Sequence, residues 1–319
     1  MRCTLIYNPA AGRNRSRKSA QLHEIEQRLS RLGHPVELIQ TIAPGSAALQ
    51  VHEAIANKAE MIFACGGDGT VHDVLQGYVA HAKDSSVCMG VLPMGSANAL
   101  ARNLGLSLDP VTAAMQQISG EVVSLPVGKI TYAEASRYFS VMAGMGPDGL
   151  LTYEVLTTHK AGLGRLAYYL HAARLFVTRP FPAFEIEYFS SSSQASTARN
   201  AIAVMAVQVR DLGGLFGSLV PSRQSPYGSG LSVILITPPS LLALPFWFLF
   251  GWLHMHRWNP FLHSVSVDRL VCKPAFINSH FQADGEWLGR GPIELSFVPD
   301  ALHLRLPAHA VAKVRPLQN

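Results

Sequence analysis

Met61-Ile62-Phe63-Ala64-Cys65-Gly66-Gly67-Asp68-Gly69-Thr70-Val71 carries an apolar run of strand length straight into three glycines set around one carboxylate. Such a turn bends sharply and lets a ligand come close to the backbone. Between a strand and a helix N-terminus it aims backbone N–H groups at whatever lies above, which favours phosphate. Asp68 does not suit a bare phosphate cradle, because a carboxylate repels phosphate unless a divalent cation or a hydroxyl stands between them. The stretch therefore points to nucleotide–metal chemistry and not to simple dinucleotide binding. The plainer reading is a tight turn in which Asp68 caps a helix.

Working outward, strands and helices alternate. Thr4–Tyr7 reads as a strand, and Leu22, Ile25, Leu29 and Leu32 recur at helical spacing up to Gly33. Val36–Ile39 is a second strand, followed by a helix that Ser46 caps and that runs to about Asn57. After the third strand, Val71, Val74, Leu75, Tyr78 and Val79 mark one face of a helix, and Val87–Leu92 supplies a fourth strand. This order implies a largely parallel sheet with helices on both faces, whose ligands collect at the carboxyl ends of the strands. Three loops fall on that edge: Asn8–Lys18, Gly66–Thr70 and Pro93–Asn98.

Beyond about Gly120 the texture becomes β-rich, with runs at Ser140–Ala143, Ala201–Val209, Leu231–Ile236, Val265–Val271 and Ile293–Val298. Helical intervals fall near Leu150–Val177 and Leu241–His256, and Ser190–Ser196 reads as a polar turn or a disordered loop. The expected division is an α/β nucleotide-binding domain over 1–120 and an antiparallel sandwich or barrel-like domain over 121–319.

The chain has 319 residues, 48% hydrophobic and only 15% charged, with a net charge of +5. An apolar, mildly basic protein suits work beside anionic phospholipid; no nucleic-acid partner is expected, since such binding needs a denser basic face. Cys3, Cys65, Cys88 and Cys272 are scattered without metal-ligand spacing and read as small core residues of a reducing compartment. With a strand at its start and no apolar leader, the chain reads as cytoplasmic. Leu231–Leu253 lacks every formal charge, but Pro238-Pro239 and Pro245 cut it, leaving less than the roughly 20 residues a span needs. Three readings stand for Leu241–Leu253: a span, a buried helix, or an interfacial helix bounded by Trp247, Trp252 and Trp258.

Further motifs each have a bland reading beside the functional one. Asn8-Pro9-Ala10-Ala11-Gly12 leads into Arg13, Arg15, Arg17 and Lys18, which suits a phosphate-facing loop with counter-charge or an ordinary connection. Thr41 offers a nucleotide contact or a simple turn. Ser96 can donate to phosphate or nucleobase, and Asn98 can serve as an N-cap. Gly144-Met145-Gly146-Pro147-Asp148-Gly149 gives Asp148 the choice of orienting a substrate hydroxyl or capping a helix. Gln282-Ala283-Asp284-Gly285-Glu286 holds two acids on one turn, where one can bind a cation and the other accept a proton; alone, Asp-Gly is also the strongest hairpin signal. His72, just after the glycine turn, is in reach of a phosphate on the functional reading and falls on a helix face or in solvent on the plainer one.

Taken together, Asn8-Pro9 to Gly12, Gly66-Gly67-Asp68-Gly69-Thr70, Pro93-Met94-Gly95-Ser96-Ala97-Asn98 and Asp284-Gly285-Glu286 resemble, in order and approximate spacing, the diacylglycerol kinase catalytic family. The similarity extends over nearly the whole chain, toward its soluble bacterial and sphingosine-kinase-like members. It implies a C-terminal β-sandwich with inserted helices and an active site between the domains. ATP would lie over Gly66, Gly67, Asp68, Gly69 and Thr70, with Asn8, Pro9, Ala10, Ala11, Gly12, Thr41 and Ser96 as further contacts. Asp68 would join the Mg²⁺–phosphate network, Asp284 would be a metal ligand, and the proton acceptor would be Glu286 first and Asp284 second. Asp148 would contact substrate. The implied reaction is ATP-dependent phosphorylation of a diacylglycerol- or sphingoid-type lipid, with peripheral contact at the inner membrane face; a homodimer is left open.

One departure concerns a structural Mg²⁺ site that many soluble bacterial members place before the strand at Leu231–Ile236. Here Ser225-Pro226-Tyr227-Gly228-Ser229-Gly230 has no carboxylate, so that ion is expected to be absent. Two other functions share these features: a soluble-substrate kinase of the NAD-kinase kind, and a non-catalytic lipid-binding protein on the same scaffold.

Overall fold

The computed structural model describes residues 1–9, 15–82, 86–157, 174–175, 180–190, 193–212, 227–273 and 279–314. These divide into two compact units: the described parts of Met1–Val127 and Val298–Asn319, and those of Gly128–Phe297.

In the first unit, β1 (Cys3–Tyr7), β2 (Val36–Gln40), β3 (Met61–Gly66) and β4 (Cys88–Pro93) form a parallel sheet in the order β2-β1-β3-β4. Every residue of β3 and β4 is buried, as in a strand covered on both faces. On one face, Leu22, Ile25 and Leu29 of α1 (Arg15–Arg31) share a core with Val111 and Ala114 of α5 (Pro110–Ile118). The other pair, α2 (Ser46–Ala56) and α3 (Asp68–His81), pack against each other through buried residues including Val51 and Val74. The order places β1 between β2 and β3, so the chain changes direction there, and the turns after β1 and β3 flank the crevice that such a switch creates. The short α4 (Ala99–Leu104) follows β4.

The expected boundary at residue 120 needs correction at the C-terminus: Val298 onward belongs with the first unit. Leu302, Leu304 and Leu306 alternate into its core, and Leu304 pairs with Met89 of β4. Buried polar groups close this edge. Tyr78 Oη donates to Val87 O at 2.6 Å, and the Gln117 amide both donates to Val91 O and accepts from Val91 N at 2.9 Å.

The second unit packs two antiparallel sheets around one core. One runs β12 (Leu262–Val267), β11 (Leu231–Ile236), β10 (Ala203–Val207), β7 (Met142–Met145), β14 (His280–Ala283) and β15 (Glu286–Arg290). The other joins the first half of β16 (Ile293–Leu306) to β13 (Arg269–Lys273), β8 (Phe184–Ser190) and β9 (Ser193–Ala201). A hairpin of β5 (Glu121–Tyr132) and β6 (Ala135–Phe139) adds Ile130 and Phe139 to the core, where Val204, Leu235, Leu270 and Leu295 meet.

Two sequence expectations fail here for identifiable reasons. Val265–Val271 is not one strand: the chain breaks at Asp268 and passes from one sheet to the other, β12 to β13. The serine-rich Ser190–Ser196 is not wholly a loop, because β9 begins at Ser193 and pairs with β8. The helix expected near Leu150–Val177 appears as α6 (Pro147–Thr157), and most of its remainder lies outside the described residues. Pro245 does not interrupt α7 (Ser240–Trp252), which runs on at the cost of the one bond its missing N–H would make to Leu241 O. Among the described residues, no helix is long and apolar enough to cross a membrane. All four cysteines are free and buried in strands, with burial pushing the Cys3 thiol up to about 11.

Candidate active site

Asp68 opens α3, yet its side chain caps a different helix. Oδ2 accepts from Asn98 N at 2.9 Å and Oδ1 from Ala99 N at 2.6 Å, the first amides of α4. A carboxylate at a helix N-terminus satisfies donors the helix cannot and complements its dipole. Asn98, read from sequence as an N-cap, makes no cap bond; at φ 51° it instead accepts from Gly95 N at 2.9 Å and donates to Gly95 O at 3.0 Å. Asp68 therefore ties the Gly66–Thr70 turn to the Pro93–Asn98 loop.

The glycines make this contact possible. A Cβ on Gly67 would stand 3.2 Å from Gly95 Cα, and one on Gly95 would collide with Gly67 and the Asn98 amide. Met94 N donates to Gly66 O at 2.9 Å, so the two turns are also joined through backbone. Thr70 is buried, Gly69 and Ser96 are exposed, and Gly67 is the N-cap of α3. Along the same edge, Asn8 N donates to Cys65 O at 3.4 Å and Thr41 N to Tyr7 O at 2.9 Å. Asn8, Pro9 and Thr41 are half-buried, while Ala10, Ala11, Gly12 and Arg13 lie outside the described residues.

A cavity of about 450 Å³ opens beside Asn8 and Pro9, with Tyr7, Lys18, Gln40 and Met94 among its walls. Lys18 Nζ is buried without a hydrogen-bond partner, and burial lowers its pKa. An ammonium so placed favours an arriving anion. His72 is buried on its helix face, with a ring nitrogen 3.3 Å from Gln76 Nε2, so it has no solvent role.

In the second unit, Asp284 and Gly285 have φ of 47° and 86°, the left-handed pair of a type I′ hairpin between β14 and β15. The bland reading of this turn thus holds, and a second function rides on it. Asp284 Oδ2 accepts from Ser140 N at 2.9 Å, and Oδ1 accepts from Val141 N at 2.9 Å and Met142 N at 3.0 Å. The carboxylate accepts from three backbone donors, which makes it an anchor for the turn. Glu286, half-buried at the first position of β15, is the other acid of the turn.

Sequence reasoning named Gln282 without giving it a role. Its Oε1 accepts from Gly285 N at 2.9 Å and its Nε2 donates to Asp148 Oδ2 at 3.2 Å, so it couples the hairpin to α6. It missed the aromatic group alongside. Trp287 Nε1 donates to His280 Nδ1 at 3.1 Å, and the Tyr153 ring lies 4.9 Å from both His280 and Trp287. Burial and the nearby Arg290 push His280 down to about 4, leaving it neutral. Only the hairpin register, which pairs His280 with Arg290, could have hinted at this group.

Asp148 lies in the first turn of α6, with its carboxyl beside the Gly149 amide. Its Oδ1 is buried without a partner, and burial lifts the carboxyl from 3.8 to about 6 against the opposing Gln282 bond. Because the folded value is raised, the native state holds a proton between about pH 4 and 6 that the unfolded chain releases. The associated stability is complete below that window and lost as pH rises through it. Asp148→Asn should therefore raise stability at pH 7 by up to about 3 kcal/mol, one pKa unit being worth about 1.4 kcal/mol, and change little at pH 4. Thermal melts at the two pH values check this; an unchanged or lower Tm at pH 7 counts against a strained carboxylate. A charge kept at such a cost is a functional candidate.

Comparison with known proteins gives these arrangements a family. The model of the diacylglycerol kinase catalytic domain matches residues 2–130. A diacylglycerol kinase of Bacillus subtilis (strain 168) is 30% identical over 243 residues, covering 76% of this chain and 75% of that one. One from Staphylococcus saprophyticus is 24% identical over 291 residues, covering 91% and 90%. The crystal structure of a candidate diacylglycerol kinase from Bacillus anthracis str. Sterne superposes with a TM-score of 0.75 at 20% identity, covering 97% of this chain and 96% of that one, a likeness of fold. On the sequence matches, with the glycine turn and the acid-bearing hairpin both in place, the chain belongs to the diacylglycerol kinase family.

Proposed function

We propose that this protein transfers the γ-phosphoryl group of ATP to a hydroxyl of a diacylglycerol- or sphingoid-type lipid. The observation that carries the reading is the Asp68 clamp, which fuses the Gly66–Thr70 turn to the Pro93–Asn98 loop and fixes a row of backbone amides at the sheet's carboxyl edge. Phosphoryl transfer is mostly positioning and charge neutralisation. The Gly66–Thr70 amides would hold the ATP phosphates, Lys18 would supply counter-charge, and Asn8, Thr41 and Ser96 would contact the nucleotide. The Asp284 anchor would set Glu286 to take the proton of the acceptor hydroxyl, and Asp148 would orient that hydroxyl.

Magnesium is usually held by one or two carboxylates together with substrate phosphates, without a dedicated protein cage. Asp68 fits that pattern as the carboxylate that joins the Gly66–Thr70 turn to the Pro93–Asn98 loop. The ion would neutralise charge on the transferring phosphoryl group.

Incubation with γ-labelled ATP and, separately, diacylglycerol, a sphingoid base and NAD tests the reading. Label is expected in a lipid product. Label on NAD would make this a soluble-substrate kinase, and no transfer to any acceptor would leave a lipid-binding protein.

A further inference from the structure

α7 is apolar all round, yet among the described residues only one of its faces is covered. Ala243, Leu244 and Trp247 are buried, whereas Leu242, Leu249 and Trp252 stand 53%, 47% and 70% exposed. Leu241 and Phe246 are exposed beside them, so the open residues form a stripe at helical spacing. An all-apolar helix belongs in a protein core or in lipid, and half of this one has neither. Its 13 residues span about 20 Å, too short for a hydrocarbon core of about 30 Å.

The surroundings select what covers it. Between Leu231 and Val267 there is no Asp or Glu, and the one formal charge is Arg257, exposed in the turn after the helix with His254 close by. Trp252 and Trp258, the latter 72% exposed, bracket this basic turn. Tryptophan beside a cation at the end of an apolar stripe is the composition of a membrane–water boundary.

We infer that α7 and the turn after it dock on an anionic bilayer, the stripe entering the acyl boundary and Arg257 meeting the headgroups. The helix lies in the interface plane and does not cross. Docking needs neither nucleotide nor turnover, so it stands or falls apart from the phosphotransfer reading.

Sedimentation without ATP, using phosphatidylcholine vesicles and vesicles containing phosphatidylglycerol, tests the inference. The wild-type chain is expected to pellet with the anionic vesicles. Leu249→Glu with Trp252→Glu should weaken binding at least about tenfold, since each removes an apolar side chain from the boundary. Arg257→Gln should weaken binding to the anionic vesicles about fivefold and leave binding to phosphatidylcholine unchanged. Brominated phosphatidylglycerol should quench tryptophan emission of the wild-type chain, and Trp252→Phe should lose the largest part of that quenching. Wild-type protein left in the supernatant, or a double variant that pellets equally, overturns the proposal. So does a wild-type dimer that the double variant converts to monomer, which would make the stripe a contact between copies of this chain.

Discussion

Glu286→Gln should lower turnover by about 10²–10⁴-fold while ATP affinity stays nearly unchanged, the usual range for losing a positioned proton acceptor. The expectation rests on the division of work within the β14–β15 turn. Asp284 holds the amides of Ser140, Val141 and Met142 and anchors the turn, and the proposed reading gives the proton of the acceptor hydroxyl to Glu286. The side chain begins a strand on the rim of the turn, and replacing carboxylate by amide leaves its volume and the hairpin intact. Initial rates over a range of ATP concentrations, beside a direct binding titration, separate the two quantities. Turnover within a few-fold of wild type would remove Glu286 from the chemistry.

Asp284→Ala should unfold the second unit's hairpin region and lower Tm on the order of 10 °C. Three amides lose a charged acceptor, each such bond being worth about 1.5–3 kcal/mol before coupling among them is discounted. Alanine is also strained at φ 47°, where aspartate and asparagine are tolerated. Asp284→Asn keeps one acceptor oxygen and the backbone preference, so it should recover about half of the loss. It should still lower turnover, because the anchor beneath Glu286 is weakened. Melting curves of the two variants, set against their activities, check this ordering. Equal Tm values for Ala, Asn and wild type would show that the three bonds carry no weight.

Much of the architecture could be read from the chain because local pattern and tertiary demand agree. β3 and β4 are continuous apolar runs and are buried throughout; Leu231–Ile236 matches β11 residue for residue. Where they disagree, the reading failed. Asp268 stands among the mixed residues Ser266, Val267, Arg269 and Leu270, and nothing local marks it as the crossing from one sheet to the other. Ser193–Ala201 has loop composition, and its strand state comes from pairing with β8. The return of Leu302–Leu306 to β4 is a long-range event with no local signature.

The site divides in the same way. The Asp-Gly turn at 284–285 was legible because its positive φ values restrict residue type. The partners of Asp284 lie more than 140 residues away, so its anchoring role was not. Asp68 was picked out as a cap or a metal–phosphate group, but the helix it caps begins 31 residues later. Asp148 stood evenly between capping and substrate contact, and its burial against Gln282, 134 residues away, could not be read from local sequence.

In the proposed reaction the Gly66–Thr70 bend is the seat of the ATP phosphates. Glycine-selective ¹⁵N labelling, followed through a titration with magnesium and a non-hydrolysable ATP analogue, examines that bend atom by atom. Gly66, Gly67, Gly69 and Gly95 are predicted to show the largest amide shifts, saturating together. Saturable binding that leaves those four amides in place and moves glycines elsewhere would contradict it.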